Sequence, residues 1–231
     1  MSSNFHPDGT LFIVSGPSGA GKTTLIEEVR RQLEPIGITL YFSVSHTTRA
    51  MRAGEVDGRD YHFVSLQQFG EMDGRGEFIE CAVVHEHRYG TSKREVVARL
   101  DRGEDVILDI DYQGARQIAR DPVLGDKKRS LSIFIFPPSF VHLENRLRVR
   151  GLNSDTEIER RLQKAVDEID AGKEKEFYDY VIINDDLVVA TECLKAAIIA
   201  KKLQTKTALD AIATMAAKLK EELDGKFARR R

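Results

Sequence analysis

The chain has little cysteine. Its two residues, Cys81 and Cys193, stand far apart in a sequence of 231 and build neither a disulfide framework nor a zinc site by themselves. It also lacks a long hydrophobic run: no stretch approaches the roughly 20 apolar residues of a membrane-spanning helix. Met1 to Asp8 is polar, without the apolar centre of a secretory signal. Neither sign of charge dominates, since 35 Lys and Arg face 37 Asp and Glu for a net −2. That excludes a globally basic nucleic-acid binder. Hydrophobic residues at 41% and charged residues at 31% lie near the globular average, which excludes collagen-like and wholly disordered chains. What remains is a soluble protein expected in a reducing cytoplasm, with no nucleic-acid or membrane partner, built as one large domain or two small ones.

The near-zero total hides an asymmetry. Nine basic and four acidic residues fall within 201–231, a surplus of five, so the first 200 residues carry a net −7. Phosphate chemistry in such a body requires a few placed cations and not a general positive field.

Apolar runs and helical periodicities alternate along the chain. Strands are expected at Thr10 to Ser15, Ile38 to Val44, Tyr61 to Val64, Phe78 to Val84, Asp105 to Ile110, Leu131 to Phe136 and Tyr180 to Ile183. Helices are expected at Thr23 to Gln32, Leu66 to Arg75, Lys93 to Arg102, Gln113 to Arg120, Phe140 to Arg150, Asp155 to Ala171 and Leu187 to Leu203. Strands separated by helices predict an α/β fold with a mostly parallel sheet. Residues 45–95 break that rhythm and read as an inserted lobe.

Between the first strand and first helix lies Gly16-Pro17-Ser18-Gly19-Ala20-Gly21-Lys22-Thr23, which fits G-x-x-x-x-G-K-[ST]. Glycines let successive backbone N–H groups turn inward toward phosphate oxygens, and the helix N-terminus adds positive potential. Lys22 then reaches the β- and γ-phosphates, and Thr23 is placed to ligate Mg²⁺. The segment DVILDID ends a buried strand on Asp109 and Asp111, where an acid can hold the same ion through water.

The loop after the second strand carries Arg49 and Arg52, three apart, which can fork onto one phosphate. Taken alone, the run also fits a solvated charged loop, and Glu80 taken alone fits a surface strand carboxylate. The combination decides between these. GPSGAGKTT, SVSHTTR followed by RAGEVDGRDYHFV, then EFIE, RYGTS, LDIDYQGARQI and FPPS resemble guanylate kinase over about Leu11 to Ala200. Met51 stands where that family often has Pro.

The resemblance implies a P-loop three-layer α/β fold with a central five-stranded parallel sheet, an inserted GMP-binding lobe and a helical lid. It divides the chain into a core at 10–44 and 93–205 with a lid at about 139–170, a GMP lobe at 45–92, and a basic helical extension at 206–231. It implies transfer of a phosphoryl group from ATP, as co-substrate, to GMP with Mg²⁺, held by Thr23 and Asp109. ATP would contact Gly16 to Thr24, namely Gly16, Pro17, Ser18, Gly19, Ala20, Gly21, Lys22, Thr23 and Thr24, with Arg150 and Arg161 on its phosphates and Asn184 at the adenine. The GMP phosphate would meet Arg49, Arg52, Tyr61 and Tyr89. Ser45, Glu80, Thr91 and Asp111 would read guanine, with Asp109 and Gly114 of the LDIDYQGARQI segment beside them. Lys22, Arg49, Arg150 and Arg161 would carry catalysis, while Arg146, Arg148 and Arg160 read as exposed helix charge. Two rival readings are a guanylate-kinase-like module that binds proteins without catalysis, and a P-loop kinase for another acceptor such as AMP. The intact GAGKTT argues against the first, and Ser45, Glu80 and Asp111 argue against the second. In the extension, Leu209, Ile212, Ala216, Leu219 and Leu223 form an apolar seam of heptad spacing, through which two copies could form a homo-oligomer.

Overall fold

The first expected strand lies at the centre of a sheet. In the computed structural model, which describes residues 9–84, 86–149, 155–172 and 177–204, β1 (Leu11–Ser15) is buried along its whole length. It pairs in parallel with β7 (Asp105–Asp109) on one side and β8 (Ser130–Phe136) on the other. β2 (Leu40–Phe42) and β9 (Tyr180–Ile183) form the outer strands, giving the order β2-β7-β1-β8-β9. The central strands read as continuous apolar runs because helices cover both faces.

On one face α1 (Lys22–Leu33) and α7 (Leu187–Lys202) bury Leu25, Ile26, Val29, Leu194 and Ile198 against the sheet. On the other face α3 (Lys93–Leu100) and α4 (Tyr112–Arg120) bury Val96, Leu100, Ala115 and Ile118. The three layers and the five-stranded parallel sheet agree with the sequence reading. Lys202, near the end of α7, forms a buried ion pair with Asp105, whose other oxygen accepts the Thr10 N–H at 3.0 Å. This pair ties α7 to β7 and to the start of β1. Among the described residues no helix is long and apolar enough to cross a membrane.

The region that breaks the rhythm forms a second sheet of order β4-β3-β6-β5. It comprises β3 (His46–Thr47), β4 (His62–Phe63), β5 (Phe78–Val84) and β6 (His87–Ser92), with α2 (Leu66–Gly74) alongside. Two of these strands, the two-residue β3 and the six-residue β6, carry no signal in the sequence pattern. β6 reads HRYGTS, with none of the apolar alternation that marks a half-buried strand. It forms because β5 and β3 flank it in antiparallel pairing and Gly90 leaves room for Phe69 and Phe78. α4 also braces this sheet. Gln117 accepts the Cys81 N–H at 3.0 Å and donates to the Cys81 carbonyl at 2.7 Å, as a further strand would.

Two helices, α5 (Phe140–Val149) and α6 (Asp155–Gly172), share a small core of Leu143, Leu147, Ile158, Leu162 and Ala165, separate from the two clusters on the main sheet. Arg150 and the seam from Leu209 to Leu223 lie outside the described residues.

Candidate active site

The phosphate loop is the turn from β1 into α1. At Gly16 a Cβ would lie 2.2 Å from the Ile135 carbonyl oxygen, so only glycine lets the loop leave the sheet here. Gly21 has φ 90°, and a Cβ there would come within 2.4 Å of the Asn184 amide nitrogen. The turn is thereby bent tightly enough for α1 to begin at Lys22. The Lys22 ammonium folds back onto the loop, donating to the Gly16 carbonyl at 2.7 Å and to the Pro17 carbonyl at 3.4 Å. Asp109, at the end of β7, lies 3.7 Å from that ammonium and accepts the Thr23 hydroxyl at 2.6 Å. One hydroxyl and one carboxylate, hard oxygens side by side at a helix N-terminus, fit Mg²⁺, which favours one or two carboxylates together with phosphate and water.

A cavity of about 520 Å³ opens from this loop toward the second sheet. On its far wall Arg49 is buried beneath the rings of Tyr61 and Phe63, 5.4 and 5.7 Å from their centroids. Tyr89 meets Tyr61 edge to face at 5.8 Å. The Arg49 fork is held by Glu55 through bonds of 3.0 and 2.7 Å, and Glu55 also accepts the Arg52 N–H at 2.7 Å. This carboxylate, with two oxygens on a planar guanidinium, takes the arrangement in which an arginine receives phosphate.

Deeper in the lobe, Glu80 on β5 is buried and accepts the Thr91 hydroxyl at 2.5 Å. Its other oxygen lies 2.4 Å from where a Cβ on Gly114 would sit. Gly114 therefore makes room for the carboxylate. Burial pushes the Glu80 carboxyl up to about 7; the Asp111 charge adds to the rise and the Thr91 bonds oppose it. Asp111 caps α4, accepting from Gly114 N–H at 3.0 Å and from the Gln113 amide at 2.9 Å.

Helix α6 supplies a third side. Arg161 on α6 is buried and lines the cavity. Arg160 instead turns outward to Glu86 at 2.9 Å, an exposed pair joining α6 to the β5–β6 turn. Arg148 pairs with Glu144 one turn away on α5.

Of the residues singled out in the sequence, Gly16, Ser18, Gly19, Gly21, Lys22 and Thr23 line one end of the cavity. Ser45, Arg49, Arg52, Tyr61, Glu80, Tyr89, Asp109, Asp111 and Arg161 line the rest. Pro17, Ala20, Thr24, Thr91, Gly114 and Asn184 are not among its lining residues. Asn184 is buried, with its amide donating to the Ala20 carbonyl at 2.7 Å and its Oδ1 without a hydrogen-bond partner among the described residues.

Several residues at or beside the cavity escape the sequence reading, Arg146, Glu55 and Glu168 among them. Arg146, expected as exposed charge, turns inward to the Ala20 and Asn184 carbonyls at 3.3 and 2.8 Å. Glu55 and Glu168 also line the cavity. Only the direction of the helix face could have flagged Arg146 and Glu168, because single charges on an amphipathic helix carry no motif.

Comparison with known proteins agrees with this geometry. The family model described as Guanylate kinase matches residues 8–201. A guanylate kinase of Vibrio cholerae is 48% identical over 214 residues, spanning 92% of this chain and 99% of that protein. One from Carboxydothermus hydrogenoformans is 44% identical, spanning 86% and 91%. Among solved structures, guanylate kinase from Anaplasma phagocytophilum superposes with a TM-score of 0.66 at 31% identity, over 89% of this chain and 92% of that one.

Proposed function

The chain belongs to the guanylate kinase family, and from that premise we propose that its cavity carries out Mg²⁺-dependent, in-line transfer of the γ-phosphoryl group of ATP to the phosphate of GMP, giving ADP and GDP. The activity of the family is ATP-dependent phosphorylation of GMP. The observation that carries the assignment to this cavity is that one space joins the phosphate loop to the Arg49, Tyr61 and Tyr89 wall and to Glu80.

Lys22 and the backbone N–H groups of the loop hold the β- and γ-phosphates. Bound between Thr23 and Asp109, Mg²⁺ would supply neutralising charge to the phosphate oxygens. Arg49 and Arg52 take the acceptor phosphate, with the hydroxyls of Tyr61 and Tyr89 as further donors. The acceptor is already anionic near neutral pH, so no strong general base is needed and catalysis is mostly positioning and charge neutralisation. Arg161, with Arg150, steadies the group in flight.

Guanine presents N1–H and N2–H₂ as adjacent donors, which suits the carboxylate of Glu80 beside Ser45, Thr91 and Asp111. Adenine presents an acceptor at N1 and is turned away. Asn184, whose Oδ1 is buried without a partner among the described residues, is assigned to the adenine by its place in the family motif. The working division is a core at 10–44 and 93–205, a GMP lobe at 45–92 and a lid at about 139–170. The setting is purine nucleotide turnover, with dGMP as a second acceptor.

Coupled ADP release with GMP, dGMP, AMP, CMP and UMP tests the proposal. Turnover with GMP and dGMP alone is expected. Preference for AMP would sink the base-reading assignment, and silence with every acceptor would favour a protein-binding module.

A further inference from the structure

Among the described residues, Glu168 is the one buried carboxylate of the cavity that the proposed reaction leaves without a task. It lies on α6 seven residues after Arg161, two turns along the same face, with Lys164 between them. The residue is 4% exposed, and its Oε2 accepts the N–H of Ser18 in the phosphate loop at 3.3 Å. Its Oε1 lies 3.7 Å from the Lys164 ammonium, which stands 4.0 Å from Asp111.

A loop built to turn N–H groups toward phosphate oxygens thus presents one of them to an anionic oxygen supplied by the protein itself. Burial pushes the Glu168 carboxyl up, while the Lys22 and Lys164 charges hold it down; Asp111 raises it and the Ser18 N–H lowers it. The contact is therefore a compromise, a charge taken out of water and given an incomplete set of partners. An arriving triphosphate needs the same loop and the same lysine, and it would lie against a like charge in a site of low dielectric.

We propose that Glu168 is a built-in competitor for the phosphate loop, a lid carboxylate that rests on the Ser18 N–H and is displaced by the ATP phosphates. It fills the loop with the lid helix already seated. Its departure frees α6 to re-seat with Arg161 on the incoming nucleotide. A ligand shifts such an equilibrium by its differential affinity for the two arrangements, so Glu168 takes part of the ATP binding energy as the cost of displacement.

The inference rests on ATP being the ligand of the loop. The test is calorimetric titration of the full chain with a non-hydrolysable ATP analogue and Mg²⁺, without GMP. Glu168→Gln keeps the shape and an acceptor for Ser18 N–H but removes the charge, and should bind the analogue about three- to tenfold more tightly than the wild type. Glu168→Asp, too short to reach Ser18 but still charged, should fall between them. Thermal midpoints of the three proteins confirm that each is folded. Unchanged or weaker binding by Glu168→Gln would make Glu168 a strut for the lid and overturn the competitor. A wild type that binds no analogue at all would overturn the ATP reading and this inference with it.

Discussion

Under the proposed function the loop at 16–23 and the loop at 45–61 both face phosphate, and they differ in what supplies the donors. The first follows a buried strand and opens a helix, so backbone N–H groups do most of the work and one side chain, Lys22, completes it. The second belongs to a lobe of short strands, β3 and β4, and relies on side chains: a buried arginine under two aromatic rings, an exposed arginine and two tyrosines. Each holds a carboxylate of the chain, Glu168 on the Ser18 amide and Glu55 on the Arg49 fork. Backbone donors are fixed by the fold and tolerate little rearrangement. Side-chain donors can be re-aimed, and their loss is felt one residue at a time.

Substitution on each side tests that contrast. Lys22→Ala should lower kcat by about three orders of magnitude, because it removes a cation whose value is greatest on the transferring group. Circular dichroism should report an unchanged fold, since Lys22 lies outside the apolar clusters on the sheet. A residual activity near wild type would mean that the backbone alone suffices. Arg49→Ala should lower kcat/KM for GMP by about a hundredfold, with affinity for an ATP analogue unchanged. Equal loss of both affinities would show that the two loops are one unit.

The smallest effect concerns pH. Glu80 must be ionised to accept from guanine, and its carboxyl is pushed up to about 7. The GMP KM should therefore rise as pH falls from 8 to 6, toward about tenfold per unit below the midpoint, while the ATP KM stays flat over the same range. Glu80→Gln should bind GMP poorly and remove this dependence. The same shift acts on stability with a definite sign. An acid raised from 4.5 in the unfolded chain stabilises the nucleotide-free fold below about 4.5, and the contribution is lost as pH rises through 7. A melting profile flat across that window in the wild type would contradict the burial of Glu80.

The core sheet and the phosphate loop were legible in the sequence because their signals are local: apolar runs, a glycine spacing, a strand running into a helix. The second sheet was only partly legible. β5 is marked by its apolar residues, but β6 owes its strand to partners on both sides, and no window of its own residues announces that. Arg146 and Arg160 looked alike as helix charges, yet one faces the loop carbonyls and the other an exposed glutamate. Which way a charged residue on α5 or α6 points depends on where the helix docks, and the two helices meet in the small core of Leu143, Leu147, Ile158, Leu162 and Ala165. Glu168 and Glu55 were invisible for the same reason: their partners belong to other segments or to a loop whose fold had not been fixed.

The fit between Gly114 and Glu80 has a hereditary consequence. A Cβ at 114 would come within 2.4 Å of the carboxylate oxygen, so glycine is the residue that leaves Glu80 in its observed place. If Glu80 were first exchanged for something smaller, the vacated space would let alanine or serine drift into 114 without harm. Once that had happened, glutamate could no longer return in one step. Under the proposed base-reading role the two positions would then act in order: glutamate can return at 80 only after glycine has returned at 114.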